Sequence, residues 1–196
     1  MNLPNKLTIS RFVFTLVLLV VLFIKFPFHE TLALALFILA SLTDYWDGTL
    51  ARRHKIITNF GILMDPLADK VLTCSLFIAF VGLDHLPAWM AIVIVARELA
   101  ITGLRLLAAS KNVVLAAERF GKHKTTTQII TISAILTSMS YPEWGSWGTL
   151  IFEQPILFGP WIFWFTEASK WLSVILTLLS GYLYLWKNRE IYLQDT

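Results

Sequence analysis

The chain has 196 residues, 57% of them hydrophobic and 15% charged, with a mean hydropathy of +0.68 and a formal net charge of +3. Soluble domains of this size carry roughly 45–50% apolar and about 25% charged residues, so the composition excludes an ordinary soluble globule and a disordered chain and points to an integral membrane protein. The single cysteine, Cys74, excludes an intramolecular disulfide and a cysteine-rich metal site, and is expected to pack inside a span as a small hydrophobe.

A helix needs about 20 apolar residues to cross a bilayer, and six such stretches follow one another. The first runs from near Leu7 to Lys25. Pro4 and Asn5 before it predict a turn or short interfacial helix. It lacks a small-residue cleavage site, which argues against a removable signal peptide. The second runs from near Leu32 past Asp44 toward Arg52, the third from about Pro66 to Val81, and the fourth from about Pro87 to Ser110. The fifth runs from about Lys124 to Ser140 and the sixth from about Phe163 to Leu185. These stretches use most of the chain. The expectation is an all-α integral membrane protein, one domain over residues 1–196, with about six transmembrane helices after a short N-terminal interfacial segment.

Basic residues alternate from one connection to the next. Lys6 and Arg11 stand at the start of the first span, Arg52, Arg53 and Lys55 after the second, Lys111, Arg119, Lys122 and Lys124 after the fourth, and Lys187 and Arg189 after the sixth. The intervening connections hold only Lys25. The positive-inside rule then places both termini and the basic connections in the cytoplasm. Between the fifth and sixth spans, residues 141–160 carry Trp144, Trp147, Phe152 and Phe158 among glycine, proline and glutamate, which reads as an outward-facing interfacial loop.

Carboxylates are expensive inside a membrane, so a cluster of them is a functional signal. Asp44 and Asp47 lie three residues apart, and Asp65 and Asp69 four apart, so each pair shares one helix face. The polar stretch from Arg53 to Gly61 is short enough to be a cytoplasmic turn. Two consecutive helices would then present two carboxylates each to a common point. Four such groups repel unless cations hold them, and hard oxygen ligands suit one or two Mg²⁺ or Mn²⁺ ions. A pair of ions could clamp a pyrophosphate. The structural alternative is four separate ion pairs with Arg52, Arg53 and Lys70, which leaves the shared spacing unexplained. Gly48 follows Asp47 and leaves room for a ligand to approach the backbone. Arg52 is placed to pair with a phosphate.

The run Asp44-Tyr-Trp-Asp47-Gly48-Thr-Leu-Ala51-Arg52, then eight residues, then Gly61-Ile-Leu-Met-Asp65-Pro-Leu-Ala-Asp69, resembles the signature of the CDP-alcohol phosphotransferases at every fixed position. The signature covers Asp44 to Asp69, while the six-span layout is similar to the family over the whole chain. The resemblance implies that a hydroxyl attacks a CDP-linked lipid or alcohol and that CMP leaves. It implies Asp44, Asp47, Asp65 and Asp69 as metal ligands, with Asp69 also the catalytic base. It puts donor-nucleotide contacts on Gly48 and Arg52, with Thr58, Asn5 and Thr8 as weaker transfers. It also implies a homodimer.

Three further runs resemble bacterial phosphatidylglycerophosphate synthases within that family. They are Pro4-Asn5-Lys6-Leu7-Thr8-Ile9-Ser10-Arg11, Ala96-Arg97-Glu98 with Thr102-Gly103-Leu104-Arg105, and Gly121-Lys122-His123-Lys124-Thr125 with Gln128. Relatives making cardiolipin or phosphatidylinositol phosphate share parts of them. The resemblance implies transfer of a phosphatidyl group from CDP-diacylglycerol to sn-glycerol 3-phosphate at the cytoplasmic face of the inner membrane. The partners are then the two substrates and the bilayer, and nothing points to nucleic acid. Arg97, Arg105, Arg119, Lys122 and Lys124 form a basic group on the same expected side as the aspartates, suited to an acceptor's phosphate. Alternatives stay open: the lysines obey the positive-inside rule, and Glu98, seven residues before Arg105, makes a structural ion pair with it. His123 reads as a solvated residue between lysines. A different class, a divalent-cation transporter, would also use intramembrane acids. Its site would lie near the midplane, and Arg52 is a poor neighbour for a cation path.

Overall fold

The computed structural model describes the backbone of residues 3–50, 59–111, 119–156 and 158–189, and the side chains of 10–43, 70–111, 123–156 and 158–189. Seven α-helices lie among the described residues: α1 (Leu3–Phe23), α2 (His29–Leu50), α3 (Asn59–Gly82), α4 (Ala88–Ser110), α5 (Arg119–Ser140), the short α6 (Ser146–Phe152) and α7 (Trp161–Lys187). Two-residue strands β1 (Pro155–Ile156) and β2 (Gly159–Pro160) pair antiparallel between α6 and α7.

Each predicted span overlaps one long helix over most of its length: α1 ends at Phe23, short of Lys25, α2 is described to Leu50, and every long helix except α4, which starts at Ala88 just after Pro87, begins earlier than its apolar stretch. Among the described residues α1 runs unbroken from Leu3, so Pro4 and Asn5, expected in a turn or short interfacial helix before the span, lie in its first turn. Pro4 stands in its first turn, where a missing N–H costs nothing. α3 begins at Asn59 and passes through Pro66. α4 follows Pro87, whose φ of −61° and ψ of 136° are extended, and α7 follows Pro160 in a similar conformation. In both cases the fixed ring sets the entry into the helix.

The long helices close a ring in space. α1 packs on α2 and α3, α3 on α4, α4 on α7, α7 on α5, and α5 on α2, with α3 also touching α5 across the middle. One end of this bundle is apolar. Leu18 and Leu22 of α1, Phe37 of α2, Phe77 and Phe80 of α3, Ile94 of α4 and Leu136 of α5 are buried together there. Towards the other end the interior becomes polar, with Glu98, Lys124, Gln128, Thr177 and Ser180 buried.

The outer surface inverts this arrangement, since Leu16, Ile92, Leu99, Leu172 and Leu179 are exposed. Polar groups inside and large apolar groups outside suit a lipid solvent. Among the described residues Trp161–Lys187 is long and apolar enough to cross a membrane. Ser10–Phe23, His29–Thr43 and Lys70–Gly82 are shorter apolar helical stretches. Cys74 is half-buried on α3.

Residues 141–160 are not a plain loop. They form a 3-10 turn (Tyr141–Trp144), α6 and the small hairpin. The segment is fastened to the start of α2. The Thr31 N–H and hydroxyl donate to Glu143 Oε2 at 2.9 and 2.6 Å, and Trp144 Nε1 donates to Thr31 Oγ1 at 2.8 Å. Phe152 packs between Trp144 and Trp161, with ring centroids 5.6 Å away on each side. Trp161 Nε1 donates to the Ile151 carbonyl at 2.7 Å. Phe158 stays 99% exposed at the tip, as an aromatic facing an interfacial layer would. Bonds to residues far away in sequence order this segment, and its composition alone does not announce them.

Candidate active site

The signature aspartates fall on two helix ends. Asp44, Asp47 and Gly48 lie in the C-terminal part of α2, and Asp65 and Asp69 in the N-terminal part of α3. Both helices pack on α1 and on α5. Because consecutive long helices run up and down, these parts belong to the polar end of the bundle. The side chains of the four aspartates lie outside the described residues, as do those of Asn5 and Thr8 on α1. Arg52 and Thr58 lie outside them altogether. The donor set consists of carboxylate oxygens, the chemistry that Mg²⁺ or Mn²⁺ requires. The four residues therefore fit such ions by type and by the helix ends that carry them.

The side chain next to Asp69 is described and leads into a buried charged cluster. Lys70 Nζ of α3 lies 2.9 Å from Glu98 Oε2 of α4. Lys124 Nζ of α5 donates to the other oxygen, Glu98 Oε1. Arg97 NH1 lies 3.4 Å from that same oxygen. Glu98 and Lys124 are each 1% exposed. Gln128 Nε2 bridges Glu98 Oε1 and Thr177 Oγ1 of α7, at 3.5 Å to each. Arg97 NH2 donates to Ser180 Oγ of α7 at 3.2 Å, and Arg97 Nε is buried without a hydrogen-bond acceptor among the described residues. Three cationic side chains thus gather round one carboxylate among the described residues.

Arg105, two turns further along α4, does not take Glu98 as its partner. Its Nε donates to the Tyr184 hydroxyl at 3.2 Å, and its guanidinium carbon lies 5.4 Å from the Tyr184 ring centroid. Spacing along one helix suggested the Glu98–Arg105 pair, whereas Glu98 takes partners from α3, α5 and its neighbour Arg97, and Arg105 takes its partner from α7. Arg119 and Lys122 lie in the first turn of α5, and their side chains are outside the described residues. His123 is exposed. Lys124, expected at a membrane boundary, is inside the bundle because Glu98 receives it there. The structure therefore brings Arg97 and Lys124 together and sets Arg105 on the α7 side of α4. Sequence reasoning missed Tyr184, Ser180 and Thr177, which carry no motif. The hydroxyl spacing of Thr177 and Ser180 on an apolar helix was the available signal.

Comparisons with known proteins point to one family. A family model described as CDP-alcohol phosphatidyltransferase matches residues 1–179. A Bacillus subtilis protein named CDP-diacylglycerol–glycerol-3-phosphate 3-phosphatidyltransferase is 39% identical over 201 aligned residues, covering 96% of each chain. A Rickettsia typhi protein of the same name is 33% identical over 93% of this chain and 94% of its own. A Mycobacterium tuberculosis protein named probable phosphatidylglycerophosphate synthase is 40% identical over 72% of this chain and 68% of its own.

Proposed function

The chain belongs to the CDP-alcohol phosphatidyltransferase family, and from that premise we propose that it transfers the phosphatidyl group of CDP-diacylglycerol to sn-glycerol 3-phosphate, giving phosphatidylglycerophosphate and CMP. The observation that carries this reading is the placement of the aspartate signature on the ends of α2 and α3, at the same polar end of the bundle as the buried cation cluster around Glu98. One arm supplies what a pyrophosphate donor needs, and the other suits an acceptor that itself bears a phosphate.

In this account Asp44, Asp47, Asp65 and Asp69 hold two divalent ions, Mg²⁺ or Mn²⁺. When bound, the ions supply positive charge against the donor's pyrophosphate. Asp69 takes the proton from the glycerol 3-phosphate 1-hydroxyl. That oxygen attacks the diacylglycerol-side phosphorus in line, and the bond from this phosphorus to the CMP oxygen breaks. Gly48 lets the nucleotide approach the backbone, and Arg52 pairs with a donor phosphate. Thr58, Asn5 and Thr8 complete the donor side. Arg97, Arg105, Arg119, Lys122 and Lys124 hold the acceptor's phosphate and so orient its hydroxyl. Lys124 can serve while bound to Glu98, because an ammonium donates in more than one direction.

The reading includes a single domain with six membrane-spanning helices in the inner membrane, termini and reacting groups on the cytoplasmic side, and a homodimer. The long helices and their apolar outer surface support the spans. A donor with two acyl chains then enters sideways from the bilayer while its phosphates stay at the interface. The second reading is a relative of the same family with another acceptor, phosphatidylglycerol or inositol phosphate. An acceptor panel separates the two. Purified protein is supplied with CDP-diacylglycerol, Mg²⁺ and either glycerol 3-phosphate, phosphatidylglycerol, inositol phosphate or serine. CMP release with glycerol 3-phosphate alone is expected, and release with another acceptor in its place rejects the assignment.

A further inference from the structure

We propose that Glu98 is a positioning residue of the transfer reaction: its buried carboxylate ties Lys70 of α3 and Lys124 of α5 to α4, and so fixes the acid-bearing start of α3 against the basic group on α4 and α5. The proposal rests on the reading above that this basic group receives the acceptor's phosphate.

The geometry singles out this residue. Lys70 follows Asp69 directly, so whatever holds the Lys70 ammonium also sets the turn of α3 that carries the proposed base. Glu98 uses both oxygens, Oε2 in an ion pair with Lys70 of α3 that lacks hydrogen-bond geometry and Oε1 as the acceptor from Lys124 of α5, with Arg97 and Gln128 adding to the second. Gln128 passes the tie on to Thr177 of α7. Four helices are therefore linked through one side chain. A carboxylate accepts hydrogen bonds only, so it cannot itself bind a phosphate. Its place among cations that can bind one is to hold them apart from each other and in line with the substrate. Without it, two neighbouring ammonium groups lose their shared counter-charge and repel. A glutamine at this position keeps the volume and one carbonyl acceptor but not the charge. An aspartate keeps the charge on a shorter arm.

The experiment compares purified wild-type, Glu98→Gln and Glu98→Asp enzymes in mixed micelles. Each substrate is varied in turn, and thermal unfolding is followed in parallel. Glu98→Gln is expected to raise the KM for glycerol 3-phosphate about tenfold or more, while the KM for CDP-diacylglycerol stays within about threefold. Glu98→Asp is expected to recover part of that loss. Glu98→Gln combined with Lys124→Gln is expected to lose less than the product of the two single losses, because the two variants share the Glu98–Lys124 interaction. An equal loss for both substrates with a lower unfolding midpoint and no recovery by aspartate overturns the proposal and leaves Glu98 a core ion pair. Unchanged kinetics overturns it as well. Should Glu98→Gln fail to fold, the KM split in Glu98→Asp decides. If the wild-type enzyme uses a different phosphorylated acceptor, the assigned function falls, and Glu98 is judged by the same split on that acceptor. An acceptor without a phosphate overturns both.

Discussion

Gly181 of α7 lies against the stem of Arg97 of α4: a Cβ at position 181 would fall 2.9 Å from Arg97 Cγ. This close approach lets Arg97 lie across α7 and reach Ser180 at 3.2 Å. A Cγ sits near its own backbone and cannot swing aside as the tip of an arginine can. Overpacking of this kind costs about 1–3 kcal/mol, offset by up to about 1 kcal/mol from replacing a helical glycine. Gly181→Ala is expected to lower the unfolding midpoint and raise the KM for glycerol 3-phosphate. Adding Arg97→Ala to it is expected to restore the midpoint while leaving KM high. A midpoint unchanged by Gly181→Ala would show that the contact yields.

The fastening of residues 141–160 to α2 carries a pH signature. Burial pushes the Glu143 carboxyl up, but the Thr31 hydroxyl and N–H, the Glu30 N–H and nearby His29 together hold it below the ordinary value of 4.5. A carboxylate depressed in the folded state contributes stability that is full above its unfolded value and is lost as pH falls through the folded one. Thermal midpoints measured from pH 7 down to pH 3 are expected to fall more steeply below pH 4.5 for the wild type than for Glu143→Gln. Parallel curves for the two proteins would remove Glu143 from that role.

The proposed metal ligands predict loss of turnover without loss of fold. Chelation is expected to abolish activity, and Mg²⁺ or Mn²⁺ to restore it. Asp44→Asn, Asp47→Asn and Asp65→Asn are each expected to remove most turnover. Asp69→Asn is expected to lower kcat by about 10²–10⁴-fold, the span usual for a positioned base, with the KM for glycerol 3-phosphate little changed. Full activity in excess chelator sinks the metal account.

Arg105 tests the acceptor side away from the Glu98 cluster. Its guanidinium is oriented by the Tyr184 hydroxyl and ring. A charge-assisted hydrogen bond is worth roughly 1.5–3 kcal/mol, or about a tenfold to hundredfold loss of affinity. Arg105→Ala is expected to raise the KM for glycerol 3-phosphate by that factor and to leave the donor KM within about threefold. Tyr184→Phe, which keeps the ring and loses the hydroxyl, is expected to produce a smaller rise in the same KM. A donor-only effect assigns Arg105 to the lipid pyrophosphate instead.

The long helices were legible in the sequence because each carries a long apolar run, and the placement of the aspartates on two helix ends because their spacing repeats the helical period. What escaped was whatever depended on partners distant in sequence. Lys124 reads as the end of a span, since an unpaired cation would be costly inside. Glu98, 26 residues away, makes the interior tolerable. Periodicity offered Arg105 as the partner of Glu98, but periodicity sees one helix and the ion pairs cross between helices. The turn and hairpin of residues 141–160 depend on Thr31, more than a hundred residues earlier, holding Glu143 and Trp144.

The central claim is tested most directly by identifying the lipid product. Purified protein incubated with CDP-diacylglycerol, glycerol 3-phosphate and Mg²⁺ is extracted and analysed by mass spectrometry, with CMP measured in the same sample. The account predicts phosphatidylglycerophosphate and CMP in equal amounts, and neither when chelator is present or glycerol 3-phosphate is omitted. CMP release without that lipid, or its formation in excess chelator, would contradict the account.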